Sequence, residues 1–438
     1  MKIKLVTPVT LVVLIFLSNA SWAQFSLTAY LGDVNRSRAG GAAAAEDATT
    51  VFTNPAGMMR LENQQLIFAS QTYFSSSRFE NQGTADVLGN PIAGSNGGDG
   101  GGTTFVPGLY YSNRLSDQWG IGLGINAPFG LSTEYDRDWV GRYSSINSGI
   151  KTININPSVA YRITNTWSIG GGINFQKAEA ELSSAVDFGA VCLSILDPTT
   201  CGTIGLGLPQ VADGYAEIKG DDWSTGFNVG LLWASSTYRI GFSYRSKMEY
   251  NLEGDAKFTN PPQAAAFAPA FTNTNAHVPI TLPEIISLSA YYDWTQRLAV
   301  MVDITHTKWS RVDKFQFKYD NPAQPAQNIA KNWEDTTRFA VGMDYDLTQK
   351  LNLQWGAAYE SSAIPDSTYD PSVPISDAIW LNAGGKYHFN RQFFAEAGII
   401  HIIFKDRDVN LQGQFGETLK GSTTSKLNIL HAQIGWSF

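Results

Sequence analysis

Apolar side chains recur at every second residue through most of this chain, and a period of two is the period of a β-strand. In the last segment Leu430, Ala432, Ile434, Trp436 and Phe438 alternate with Ile429, His431, Gln433, Gly435 and Ser437. Phe339, Val341, Met343, Tyr345 and Leu347 alternate with Ala340, Gly342, Asp344 and Asp346, and Tyr238, Ile240, Phe242 and Tyr244 with Arg239, Gly241, Ser243 and Arg245. The polar face of a soluble sandwich meets bulk water and is rich in Lys, Glu and Arg. Here it holds Gly, Ala, Ser, Asn and isolated charges, and charged residues are only 16% of the chain. The apolar face often begins or ends on an aromatic residue, at Trp167, Tyr238, Trp294, Tyr345, Tyr387 and Trp436. That is an interfacial girdle. The fold class is therefore all-β, a transmembrane antiparallel barrel.

The connections sort into two kinds. Short ones fall near Asn113 to Asp117, Asn165-Thr166, Ser235 to Thr237, Thr295-Gln296, Thr348-Gln349 and Asn390-Arg391. Long ones lie between them, at 80–102, 130–149, 183–222, 253–281, 319–332, 362–376 and 406–424. This alternation fits short periplasmic turns and long outer loops, with about fourteen strands of roughly ten residues. Lys2, Lys4, the apolar run Leu11 to Leu17 and Ser21-Trp22-Ala23 read as a secretory signal over residues 1–23; an uncleaved anchor is the alternative. Residues 24–64 lack the strand period and carry the small-residue run Ala39 to Ala45, then Asn54-Pro55-Ala56-Gly57. They are expected either inside the lumen as a hatch or as a periplasmic extension, with the barrel over 65–438.

Without Lys2 and Lys4 the chain keeps 29 basic and 39 acidic side chains, a formal charge of −10, which argues against nucleic acid as a partner. Cys192 and Cys201 are the only cysteines, and in an exported chain they read as a disulfide; no His lies near them to make a metal site. The five histidines are scattered, and neither G-x-S-x-G nor H-E-x-x-H occurs, so no enzyme and no cofactor is expected. Gly120-Ile121-Gly122-Leu123-Gly124 sits in a strand rather than before a helix, which leaves its glycines as small lumen-facing residues.

Several phrases resemble the FadL-type family of outer-membrane long-chain fatty-acid transporters, whose relatives (OmpP1/FadL/TodX-like) include aromatic-hydrocarbon uptake channels. They are Arg38-Ala39-Gly40, Ala45-Glu46-Asp47-Ala48, Asn54-Pro55-Ala56, Gly130-Leu131-Ser132-Thr133-Glu134-Tyr135, Ser243-Tyr244-Arg245-Ser246, Leu282-Pro283-Glu284, Thr307-Lys308-Trp309-Ser310, Trp380-Leu381-Asn382-Ala383-Gly384 and the closing Phe438. The resemblance covers essentially the whole mature chain. It implies a fourteen-stranded barrel blocked by a hatch, ligand landing on outer loops, a tighter pocket inside, and release sideways beside a kinked strand. By position, Asn54, Pro55 and Ala56 are the hatch residues facing that opening, and Asn126, Ala127, Pro128, Phe129 and Gly130 the kinked strand. Pro128 cannot donate a ladder hydrogen bond, so the strand is interrupted there; Asn-Pro taken alone is also an ordinary loop turn. The implied setting is the outer membrane, with hydrophobic small molecules, lipid and lipopolysaccharide, and the barrel assembly machinery as partners, and a monomeric state.

The loops carry apolar surface that water does not favour. Leu193, Ile195, Leu196, Leu206, Leu208, Phe267 and Phe271 are expected to form a ligand groove, or else a lid packed on itself. Ile400, Ile402 and Phe404 put apolar residues on the inner face of a strand that also carries Ile399 and Ile403, as pocket lining or as packing against the hatch. Where the family has basic residues in the lumen, alignment places Glu179 and Glu334, with Lys177 and Lys331 nearby; Arg239 and Arg245 point inward and are available as counter-charges. This departure favours neutral hydrocarbons over fatty acids. The function expected is passive uptake of fatty acids or hydrocarbons. A general porin is the alternative, which a wide open conductance would reveal, and a lipid-modifying enzyme is a more distant one.

Overall fold

The computed structural model describes residues 41–62 and 64–438. The signal segment 1–23 and the first part of the 24–64 segment lie outside the described residues. The wall begins with β1 (Gln65–Asn81) and β2 (Thr103–Arg114), followed by β3 (Trp119–Asn126) and β4 (Gly130–Glu134) as two halves of one broken strand. β5 (Asn147–Arg162), β6 (Trp167–Asp187) and β7 (Asp213–Ala234) are continuous, whereas β8 (Tyr238–Arg245) with β9 (Met248–Thr259), and β10 (Thr274–Leu282) with β11 (Ile285–Asp293), are broken again. β12 (Leu298–Thr307) leads to β13 (Lys314–Tyr319), and β14 (Gln327–Ala330) to β15 (Thr336–Asp346). β16 (Leu351–Glu360), β17 (Ala378–His388), β18 (Phe393–Phe404) with β19 (Arg407–Gln412), and β20 (Thr418–Ser437) complete the circuit. Antiparallel pairing of β20 with β1, from Gln65 opposite Ser437 to Asn81 opposite Gly421, closes a barrel of fourteen wall strands.

Six tight turns join strands at one end, and each opens on a residue whose side chain takes up the turn's amides. Ser116, Thr164, Ser235, Thr295 and Thr348 accept through their hydroxyls from the residues two and three further on; the Asn390 carbonyl accepts from Gln392 and Phe393 N–H. That chemistry fixes short turns without needing glycine.

Alternation sets the two faces. Ile173, Val302, Phe339, Val341, Ile379 and Ile403 are exposed on the outside, where a bilayer covers them. The wall continues past this belt: on its outer surface Lys151 of β5, Glu179 and Lys177 of β6 and Asp221 of β7 form ion pairs at 2.6–3.1 Å. Strands β6 and β7 therefore run to Asp187 and from Asp213, and the loop between them is shorter than the apolar period indicates. No helix among the described residues is long and apolar enough to cross a membrane.

Residues 41–61 pack inside the ring. They comprise α1 (Gly41–Ala44), α2 (Thr50–Thr53) and a 3-10 turn over Pro55–Arg60. Ala43 and Ala44 pack on Tyr291, Ala299 and Met301 of β11 and β12. Arg239 of β8 donates to the Ala44 carbonyl, Ser168 of β6 to the Ala56 carbonyl, and Lys386 of β17 pairs with Asp47. Contacts thus reach strands all round the barrel. Glycines make the room: a Cβ at Gly170 would meet the Pro55 and Ala56 backbone at 2.5 Å, and one at Gly122 would meet Val51 at the same distance.

Gly170→Val is expected to leave the barrel formed, because its own ladder is untouched, and to dislodge this segment at a cost of about 1–3 kcal/mol. The measurement is protease cleavage within residues 41–61 of folded protein, with cleavage rising in the variant.

Candidate functional site: an apolar cluster beside a gap in the wall

β3 stops at Asn126 and β4 starts at Gly130, so Ala127, Pro128 and Phe129 belong to no ladder. β2 pairs with β3 only up to Leu109 opposite Ile125, and β4 pairs with β5 alone. Residues 103–108 of β2 therefore keep β1 on one side and have no strand on the other. Pro107 and Pro128 lack amide donors, which suits them to this stretch. The break is bounded and partly satisfied. The Thr152 hydroxyl of β5 accepts from Phe129 N–H at 2.9 Å and lies 2.7 Å from the Phe129 carbonyl, and Glu134 N–H donates to the Gly100 carbonyl at 3.1 Å above the gap.

On the lumen side lies one large apolar cluster. Phe129 and Leu131 from the break pack with Trp309, Trp333, Trp380, Ile400 and Ile402. Trp309 stands edge-on to Phe129 at 6.0 Å and to Trp333 at 5.4 Å. Phe404 lies half-buried against the same cluster. Buried within this region is Arg338 of β15, its guanidinium 4.9 Å from the Trp380 ring centroid. Its Nε and Nη2 have no hydrogen-bond partner, and no carboxylate pairs with it among the described residues.

Several sequence placements are corrected. Glu179 is on the outside of the wall, paired with Lys151 and Lys177, because it shares the face of Ile173 and Phe175. Glu334 is exposed in the segment ahead of β15. Lys331 is buried but already paired with Asp370 at 2.6 Å. Arg245 does point inward; it donates to the Phe52 carbonyl at 2.8 Å and covers the Phe52 ring, so it holds the amino-terminal segment. Asn54, Pro55 and Ala56 do not face the gap. Asn54 Nδ2 donates to the Leu231 carbonyl at 3.2 Å, and Pro55 and Ala56 lie on Gly170, so the three residues rest on β6 and β7. Val51 and Met58 lie against β3 at Gly122, and Met59 at Gly120. Arg338 was missed, although it continues the inward face of Ala340, Gly342 and Asp344 by one step.

Outside, α3 (Phe188–Ile195) and α4 (Pro198–Thr203) form a small lid closed by the Cys192–Cys201 disulfide. Leu206 is fully buried in its core with Phe188, and Phe271 stands edge-on to Phe188 at 4.9 Å. Leu206 is thus lid packing rather than groove surface. Leu193 and Phe267 are half-buried there, whereas Ile195, Leu196 and Leu208 are exposed. Beside the lid a cavity of about 850 Å³ is lined by Ile195, Phe271, Val140, Phe315, Phe317 and Leu419.

A closed fourteen-strand barrel with a lipid-facing belt, an internally packed amino-terminal segment and a large apolar cluster in its interior is an outer-membrane transport barrel by architecture. The chain belongs to the family of outer membrane protein transport proteins (OMPP1/FadL/TodX), whose model matches residues 17–438. A putative outer membrane protein of Neisseria meningitidis serogroup B is 30% identical over 425 residues, covering 92% of this chain and 91% of that one. The long-chain fatty acid transport protein of Escherichia coli K12 is 25% identical over 412 residues, 90% and 91% of the two chains. In fold, a Pseudomonas aeruginosa FadL homologue superposes with a TM-score of 0.87 at 21% identity over 95% of this chain and 100% of that one. The Ralstonia pickettii toluene transporter TbuX gives 0.67 at 16% identity, over 95% and 99%.

Asp187 caps α3 by accepting from Ala190 N–H at 3.1 Å, and burial pushes its carboxyl up to about 6. The folded lid then binds this proton more tightly than the unfolded chain does, so the contribution of Asp187 favours the lid at low pH and is lost as pH rises from about 4 through 6. Amide protection over 190–195, corrected for intrinsic exchange, is expected to fall across that window. Asp187→Asn keeps a capping side chain and should flatten the dependence.

Proposed function

We propose that this protein takes up long-chain hydrophobic carboxylates, fatty acids, from outside the cell without energy input. The ligand partitions onto the lid and into the cavity lined by Ile195 and Phe271, enters the apolar cluster by displacing its packing, and leaves sideways between β2 and β4 after residues 41–61, acting as a hatch, shift. The observation that carries this reading is the bounded break at residues 127–129, where the ladder between β2 and β5 is interrupted beside the apolar cluster that contains Phe129. Release into the outer membrane's own hydrocarbon avoids exposing an apolar ligand to water.

Arg338 supports the choice of a carboxylate. A buried guanidinium without an acidic partner is costly unless a charge is supplied, and its planar fork matches a carboxylate. Stacking on Trp380 holds the group in place and compensates part of that cost. The name of one relative fits that class, the Escherichia coli protein being a long-chain fatty acid transport protein; the structural neighbour TbuX is named a toluene transporter, which is the neutral alternative.

In a strain lacking its own transporter, expression of this chain is expected to restore uptake of labelled oleate more than of labelled toluene. Arg338→Met should weaken oleate binding by about 1.5–3 kcal/mol, roughly ten- to a hundredfold in Kd, and leave toluene unaffected. Toluene uptake without oleate uptake would reassign the cargo to neutral hydrocarbons, and a steady wide conductance in bilayers would replace the reading with a porin.

A further inference from the structure

Five buried asparagines stand in one belt across the inner wall: Asn126 on β3, Asn154 and Asn156 on β5, Asn174 on β6 and Asn228 on β7. The ladders set Asn126 opposite Asn154, and Asn228 opposite Arg245 of β8. Below the belt are the glycines that accommodate the amino-terminal segment; above it begin Ala178, Met248 and Tyr250 of the apolar cluster.

The hydrogen bonds across the belt are continuous. Asn126 Nδ2 donates to the Tyr110 hydroxyl at 3.4 Å, and Asn154 Nδ2 donates to Asn126 Oδ1 at 3.3 Å and Asn174 Oδ1 at 3.2 Å. Arg245 Nη1 donates to the same Asn174 oxygen. Asn174 Nδ2 and Asn156 Nδ2 both donate to Asn228 Oδ1, at 3.0 and 2.9 Å. At the far end Arg245 Nη2 reaches the Phe52 carbonyl at 2.8 Å. One end of this relay is the last ladder residue below the gap; the other is the amino-terminal segment.

Packing alone does not account for it. The wall beside the segment is built from glycines at 122, 170 and 230, whereas buried amides are costly unless fully bonded. Here Asn154 Oδ1, Asn156 Oδ1 and Asn228 Nδ2 lack partners among the described residues. An amide belt with orphaned acceptors and a spare donor has alternative pairings within reach, so losing one neighbour invites exchange for another. That is the character of an element with two arrangements.

We propose that the belt couples the amino-terminal segment to the gap, with Asn174 as the positioning residue. When Phe52 is displaced, Arg245 leaves the Asn174 oxygen, Asn154 turns wholly to that oxygen and gives up its bond to Asn126, and Asn126 is released at the sill of the gap. The inference rests on the uptake route above and supplies its regulation.

The test uses the full chain in lipid vesicles with nitroxide labels at Phe105→Cys and Ser132→Cys, on the two margins of the gap; no free cysteine among the described residues competes for label. In the parent, oleate is expected to shift the distance distribution. Asn174→Ala should bind oleate with parental affinity yet lose the shift and lower uptake on the order of tenfold, and its effect should be non-additive with that of Arg245→Met. Asn174→Gln, which keeps an amide, should recover part of the response, an outcome that loss of folding would not give. If Asn174→Ala does not fold, Asn154→Ala makes the same test. Parental shift and uptake in the folded alanine variants overturn the coupling alone; a parent that takes up no oleate removes the uptake route, and the coupling with it.

Discussion

A chain in hydrocarbon has no water to bond its amides, so every backbone donor and acceptor needs a partner inside the wall. Closure follows from that demand: β1 registers with β20 along its full 17 residues, which joins the first wall strand to the last. The same demand makes a break in the ladder expensive. Around residues 127–129 the cost is contained locally, by the Thr152 hydroxyl at both polar groups of Phe129 and by the Glu134–Gly100 bond that shuts the top of the gap. Prolines at 107 and 128 remove donors that would otherwise seek partners. The gap therefore has fixed margins rather than a frayed edge.

The interior obeys the corresponding rule for charge. Desolvated cations need counter-charges or carbonyls, and most inward-pointing ones have them. Arg239 lies 3.7 Å from Glu46 and stacks on Tyr291, Lys386 sits between Asp47 and Glu396, and Lys331 meets Asp370. Two of these three sites are completed by the amino-terminal segment, so its seating and the wall's electrostatics are one problem. Arg338 stands outside this accounting, with an aromatic face in place of a carboxylate.

What the sequence discloses is what one strand carries by itself. Period two, the six short connections, the seven outer loops and the break at Pro128 are all local signals, and each has its counterpart in the structure. Three things were hidden, each for a physical reason. The wall outlasts its apolar period because ladder pairing continues where Lys151, Glu179, Lys177 and Asp221 replace lipid-facing side chains, and alternating charge does not read as a hydrophobic strand. Leu206 looks like exposed loop because the two short helices and the disulfide that bury it are invisible in a hydropathy pattern. The asparagine belt consists of residues drawn from four wall strands, and only the register of the barrel brings them together.

The ring also fixes how a ligand lies in the proposed route. The broken strand β3–β4 is the third of the fourteen wall strands and the one bearing Arg338 is the tenth, so the gap and a cation with no carboxylate partner among the described residues face each other across the lumen. On that proposal, a head group held at Arg338 would leave the rest of the molecule to pass through the apolar cluster of Trp333, Trp309 and Phe129 toward the gap. A ligand moves an equilibrium only by its differential affinity for the two states. A long chain anchored at the far wall reaches the elements that must move; a single aromatic ring, held at either end, touches one of them and not the other.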